Sequence, residues 1–188
     1  MKRLIVLLSA LYLVLDYGTA FAAWPQLNDI PPSWSKTLRC DTAACPRFEL
    51  VLGGAAVLDH ETGLVWEKEP NPNPWPYAEA AKRCARSSTG FVFGWHLPTR
   101  EQLTSLWDYA ALVSGGLRLP PGHPFDTDCS AGGCVQPVNY WTSSTYPDDP
   151  TVAWVAPFGG LDGLLYIPKS GFQFNAWCVR GGQTYQGD

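Results

Sequence analysis

The chain has 188 residues, with 13 lysines and arginines against 17 aspartates and glutamates, a formal net charge of −4. An acidic balance argues against nucleic acid and polyanions as whole-surface partners, because binding them draws on a surplus of basic side chains. The length suits one domain with a real core and is short for two.

Lys2 and Arg3 form a basic start, Leu4 to Leu15 an apolar stretch ended by Asp16, and Ala20-Phe21-Ala22 a small-x-small cleavage pattern. Residues 1–22 therefore read as a signal peptide cleaved after Ala22. The apolar run is short for a membrane helix, so no stable span is expected once it is removed. The remaining 166 residues carry 11 basic and 16 acidic side chains, a net charge of −5. Export to the periplasm or beyond follows, and in an oxidising compartment six cysteines read as a disulfide framework. Cys40 with Cys45, and Cys129 with Cys134, are C-x4-C pairs that can close locally, which leaves Cys84 for Cys178. The competing use of paired cysteines is a metal site, which here lacks nearby histidines.

Residues 23–53 form a Pro-rich, Trp-bearing N-terminal arm that holds the first cysteine pair. A hairpin is expected next, with Ala56 to Leu58 and Leu64 to Glu67 flanking Asp59-His60-Glu61-Thr62-Gly63. The segment EPNPNPWP, 69–76, has four prolines in eight residues and cannot be helix. A helix follows, because Tyr77, Ala80, Ala81 and Cys84 fall at i, i+3, i+4 and i+7 and turn Cys84 toward a core. After a short strand at Trp95-His96-Leu97 and the stop at Pro98, Thr99 and Gln102 fit a capping box. Leu103, Leu106, Trp107 and Ala110 mark the buried stripe of a second helix. Residues 114–139 are Gly/Pro-rich and aperiodic, a loop long enough to suggest a function. Strands near 140–145, 152–158, 163–167 and 175–180 complete an α+β domain over 54–182, followed by a tail, 183–188.

The blocks VLDHETGLVWEKEP (57–70), PYAEAAKRC (76–84), GWHLPTREQLTSLWDY (94–109), YWTSSTYPDDPTVAWVAPF (140–158) and WCVRGG (177–182) occur in the order of a known family. The chain resembles the Lcl-type family, the C-terminal domain of the Legionella collagen-like adhesin. The resemblance implies a C-type-lectin-like α+β fold with two helices, short antiparallel strands, a long irregular loop and a cysteine staple from first helix to last strand. It implies binding rather than catalysis, the family's adhesin being a binder of glycosaminoglycans. This chain departs from the usual family block at His96, where arginine is usual, and it has no collagen-like stalk.

The expected function is accordingly a non-enzymatic exported module that recognises a carbohydrate or protein ligand at the cell envelope or surface. Sugars stack on aromatic faces, so Trp75 and Tyr146 are the candidate platform residues. Asp126, Asp128, Asp148 and Asp149 could offer oxygen ligands, although aspartates beside proline and cysteine commonly form turns. Trp141, Trp154 and Trp177 are expected in the core. The lectin triplet Glu69-Pro70-Asn71 stands before the first helix instead of in the long loop, so no lectin-style calcium site is expected there. His60, His96 and His123 have no evident nucleophile, and no G-x-S-x-G, H-E-x-x-H, P-loop or G-x-G-x-x-G motif is present, so neither catalytic residue nor cofactor is expected. Two alternatives stand beside this reading. One is an interaction domain of an envelope assembly without sugar affinity. The other is a C-x4-C-dependent redox or formylglycine-generating-like enzyme, by fold-level analogy.

Overall fold

In a computed structural model, residues 47–109, 117–160 and 163–181 are described. They belong to one unit, Trp34–Asp188. The expected signal peptide, the Cys40 and Cys45 pair, Ala110 and the 183–188 tail lie outside the described residues.

Strands β1 (Phe48–Val51), β2 (Ala56–Asp59), β3 (Leu64–Glu67) and β9 (Val179–Arg180) form an antiparallel sheet in the order β1-β2-β3-β9. Phe48, assigned from sequence to the N-terminal arm, thus opens the sheet's edge strand. Phe48 pairs with Asp59 and Asp59 with Leu64, while Val65 pairs with Arg180, so one end of the sheet holds both β1's start and β9's finish. The expected hairpin is β2 and β3. Its turn is organised by Asp59, which accepts hydrogen bonds from the Glu61 amide at 3.1 Å and Thr62 Oγ1 at 3.0 Å. Arg47 adds a two-pronged ion pair to the same buried carboxylate, at 2.9 and 2.8 Å. Gly63 closes the turn at φ 69°, a conformation open to glycine at little cost.

The proline segment 69–76 contains no helix and ends in β4 (Trp75–Pro76), which pairs with β8 (Gln173–Phe174). Helix α1 (Tyr77–Arg86) starts directly after Pro76 and buries Ala80 and Cys84, the face that the spacing marks. Helix α2 (Arg100–Thr104) starts with the expected capping box: Thr99 Oγ1 accepts from the Gln102 amide at 3.1 Å, and Gln102 Oε1 accepts from the Thr99 amide at 2.9 Å. The helix is shorter than its apolar stripe. Beyond Thr104 the amides of Leu106 and Trp107 bond three residues back, to Leu103 and Thr104, and Asp108 then bonds to Arg118. Residues three apart share a face in this tighter winding as well, so Leu103 and Leu106 are both fully buried although the α-helix has ended.

Strands β5 (Asn139–Tyr146), β6 (Asp149–Pro157) and β7 (Leu165–Pro168) form a separate antiparallel meander, with register shifts in β5 after Trp141 and at Tyr146. Two apolar clusters fill the interior. The first centres on Trp177, with Trp66, Phe125 and Phe158 packed edge-on and Tyr140 tilted against it, at 4.9 to 5.8 Å between ring centres. The second gathers Ala80, Cys84, Trp95, Leu97, Trp141 and Val155. Trp141 and Trp177 are buried as expected, and each indole N–H is satisfied, by the carbonyls of Trp75 and Glu67 at 2.8 Å. Trp154 departs from expectation and lies on the outer face of β6. Its neighbours Ala153 and Val155 point inward, and strand alternation then forces Trp154 outward.

Cys84 bonds Cys178 and Cys129 bonds Cys134, the two described pairs reached by counting. The long loop is not a free flap. Its residues Leu119, Phe125 and Val135 sit in the first cluster, and its backbone bonds Lys68 O through Asp126 and Pro70 O through Cys134.

Candidate functional site

The β5-β6-β7 meander has one buried face and one outward face. On β7, Leu165 and Ile167 pack toward the second cluster, so Tyr166 between them points out and is 60% exposed. Register places Tyr166 opposite Trp154, and β5 ends beside them at Tyr146. The rings of Tyr146 and Tyr166 are stacked, 5.0 Å apart at 23°, and Trp154 meets both at 5.4 and 5.9 Å. Arg100, the first residue of α2, lays its guanidinium 5.1 Å from the Trp154 ring centre. Its backbone amide is held by Ser144 Oγ at 3.0 Å, and its side chain is paired with Glu101. One patch thus offers aromatic faces, a cation and hydroxyls.

The turn beside this patch is tied by side-chain hydrogen bonds. Lys169 Nζ donates to Thr145 Oγ1 at 2.9 Å and to the Pro150 carbonyl at 2.8 Å, bridging the ends of β5 and β6. Asp149 accepts from the Thr151 hydroxyl and amide, at 2.6 and 2.8 Å, and these bonds hold its carboxyl below the usual range. The carboxylate of Asp148 pushes the Tyr146 phenol above its ordinary value.

Of the residues singled out from sequence, Tyr146, Asp148 and Asp149 gather at this turn. Trp75 lies on β4, partly buried against the second cluster. Asp126 and Asp128 precede Cys129 and cap local amides: Asp126 accepts from Asp128 N at 2.8 Å, and Asp128 from Ser130 N at 3.0 Å. The Ser130 amide keeps the Asp128 carboxyl low. Among the described residues no three His, Cys, Asp or Glu side chains come together in a way that could hold a metal ion. Trp154, Tyr166 and Arg100 were missed from sequence. The signal that could have found the two rings is the small-Trp-small and Leu-Tyr-Ile alternation around them.

Among the described residues no histidine ring is hydrogen-bonded to a serine, threonine or cysteine side chain. His60 bonds Glu49 at 2.9 Å on the surface. His96 exchanges two backbone bonds with Val179, at 2.8 and 3.0 Å, which ties the segment before α2 to the last strand. His123 is half-buried against Phe125, and burial depresses its imidazole below the ordinary value. Glu67, like Asp59, is an ionisable side chain on which four hydrogen bonds converge. Its carboxylate, nearly inaccessible, takes bonds from Arg83, Ser87, Thr89 and the Cys178 amide.

No curated protein matches the chain. The family described as the Lcl C-terminal domain matches residues 55–180, which begins at the hairpin and ends with β9. That stretch is well over half of the chain and includes the aromatic face, both described disulfides and both helices, and the protein belongs to the Lcl C-terminal domain family.

Proposed function

We propose that this protein is an exported, non-enzymatic binding module that recognises a carbohydrate at the cell envelope or surface through Tyr146, Trp154 and Tyr166. The observation that carries the reading is the outward stack of Tyr146 and Tyr166 running into Trp154, with Arg100 at its edge. Pyranose rings present a C–H face that packs on aromatic rings, and their hydroxyls need nearby donors and acceptors. Family membership supports binding over catalysis. Among the described residues, two helices, antiparallel sheets and a disulfide from the first of those helices to Cys178, just before β9, support a C-type-lectin-like architecture. Export is supported by the amino-terminal signal pattern and the disulfides, and no described helix is long and apolar enough to cross a membrane.

A glycan array read with and without calcium tests this. Binding to at least one glycan, unchanged by chelation, is expected. Tyr166→Ala, a substitution on an exposed face, should weaken it about tenfold or more, and Tyr146→Ala should weaken it too, though not additively, because the two rings stack on each other. Equal affinity in both variants would move the site elsewhere. A second reading, a protein-interaction domain without sugar affinity, is favoured by Phe91 and Phe93, which are 99% and 72% exposed on one short loop. No glycan binding together with loss of a protein partner on Phe91→Ser would select it. A reactive free thiol in the untreated protein would instead favour the C-x4-C enzyme.

A further inference from the structure

A second concave site lies between the proline segment, the end of the long loop and β8. It is a groove of about 490 Å³. Its lining includes four carboxamides, Gln136, Asn139, Gln173 and Asn175, beside Phe174 and three prolines, and no charged side chain. Its volume falls within the range of ordinary small-molecule sites.

Asn175 is the telling residue. It is only 5% exposed, and its Nδ2 donates to the Pro72 carbonyl at 3.0 Å. A carbonyl only accepts, so this bond fixes which way the amide faces. Oδ1 is left without a partner among the described residues, in a side chain that lines the groove. The side chains of Asn139 and Gln173 likewise make no hydrogen bond within the described residues. Oδ1 still reaches solvent, so a ligand that covers it must replace that water with a donor of its own or strand the acceptor, and the groove suits a ligand that brings donors to it.

The walls are already set. Pro72 and Pro74 have fixed φ, and the Asn71 side chain accepts from the Asn73 amide at 2.9 Å between them. Backbone bonds join Asn175 to Asn139 at 3.1 Å and to Trp141 at 2.9 Å, while Trp75 pairs with Phe174. The Phe174 ring is held edge-on by Trp141 at 4.8 Å. A groove fixed in advance loses little entropy when it is filled.

The chemistry then narrows the occupant. A charged ligand would shed hydration without gaining an ion pair. A purely apolar one would leave Asn175 Oδ1 unmatched. A ligand with a C–H face for Phe174 and several hydroxyls for the amides meets both demands. We propose that this groove is a second ligand site, binding an uncharged saccharide of about one or two rings through Asn139, Gln173 and Asn175. It uses no residue of the aromatic face, so the two sites stand or fall separately.

The test follows the side-chain NH2 signals of the labelled protein by two-dimensional NMR. The probes are the methyl glycosides of glucose, galactose, mannose and N-acetylglucosamine, with neutral disaccharides, up to about 20 mM, beyond the millimolar affinity expected of a small site. At least one saccharide should shift the Asn139, Gln173 and Asn175 signals. Gln173→Ala, and the double variant with Asn139→Ala, should weaken that response about tenfold with an unchanged backbone spectrum, while Tyr166→Ala leaves it intact. The inference is overturned if no saccharide moves these signals, if the double variant binds as well as the parent, or if an uncharged peptide binds there and no sugar does. Loss of binding in Tyr166→Ala alone would assign the sugar to the aromatic face.

Discussion

Replacing Glu67 by methionine removes an acceptor that four donors share while keeping nearly the same volume. Arg83 Nη1 and the Cys178 amide lie 3.0 and 3.4 Å from Oε2, and the Ser87 and Thr89 hydroxyls 2.9 and 3.0 Å from Oε1. The two hydroxyls are 2.9 Å apart and can satisfy each other, so they add little to the loss. Stranding one member of a buried ion pair costs about 3–5 kcal/mol. The Arg83 side chain is 20% exposed and recovers some water, which points to the lower end, about 3 kcal/mol. The amide of Cys178 adds about 1 kcal/mol, for a total near 4 kcal/mol. Glu67→Gln is the control. Ser87 and Thr89 can rotate to accept from its NH2 while its oxygen stays on Arg83, but the guanidinium loses its counter-charge, so an intermediate loss of about 2 kcal/mol is expected. Urea unfolding followed by tryptophan fluorescence would read the difference, a midpoint drop of about 2 M for the methionine variant at an m-value of about 2 kcal/mol/M. Adding Arg83→Met should recover part of the loss, because no charge is then stranded. A methionine variant within 1 kcal/mol of the parent, or a glutamine variant as costly as methionine, would refute the assignment.

The two disulfides should differ in worth. Cys84 and Cys178 are 94 residues apart and Cys129 and Cys134 only 5, so chain entropy assigns about 4.7 and about 2.2 kcal/mol. Replacing each pair by alanines and measuring unfolding in urea should reproduce that order, and the reverse order would contradict it. The His123 imidazole is held below its ordinary value by burial, so the unfolded chain takes up the proton first. Stability should therefore fall as pH drops below about 6.5 and level off beneath the folded value, and His123→Gln should flatten this part of a thermal-melt profile. Gly133→Ala would bring a Cβ to 2.7 Å from the Glu69 carbonyl oxygen, so it should cost about 1–3 kcal/mol and loosen the 129–134 turn, read by amide exchange there.

The parts legible in sequence were those governed by local rules. The hairpin showed through its alternation and its Gly63 turn, α1 through the spacing that buries Ala80 and Cys84, and the start of α2 through Thr99 and Gln102. The pairing of Cys84 with Cys178 followed from counting. The end of α2 was hidden because residues three apart share a face in both windings, so Leu106 carries no mark of the change. The outward place of Trp154 was masked by the habit of tryptophan to lie inside, and only the smaller neighbours Ala153 and Val155 reveal it. The role of Glu67 depends on groups 16 to 111 residues away, and such convergence leaves no local trace.

The sheet order β1-β2-β3-β9 has an engineering consequence. Because β9 runs opposite to β1, the chain arrives at Phe48 and departs after Arg180 at the same end of the sheet, three strand spacings apart, about 14 Å. About five extended residues could close that gap. A circular permutant joined there and reopened at the exposed turn near Asp148 should fold, and the domain should tolerate insertion into a surface loop of a host protein. Such a graft would show the aromatic face and the amide groove without an added stalk.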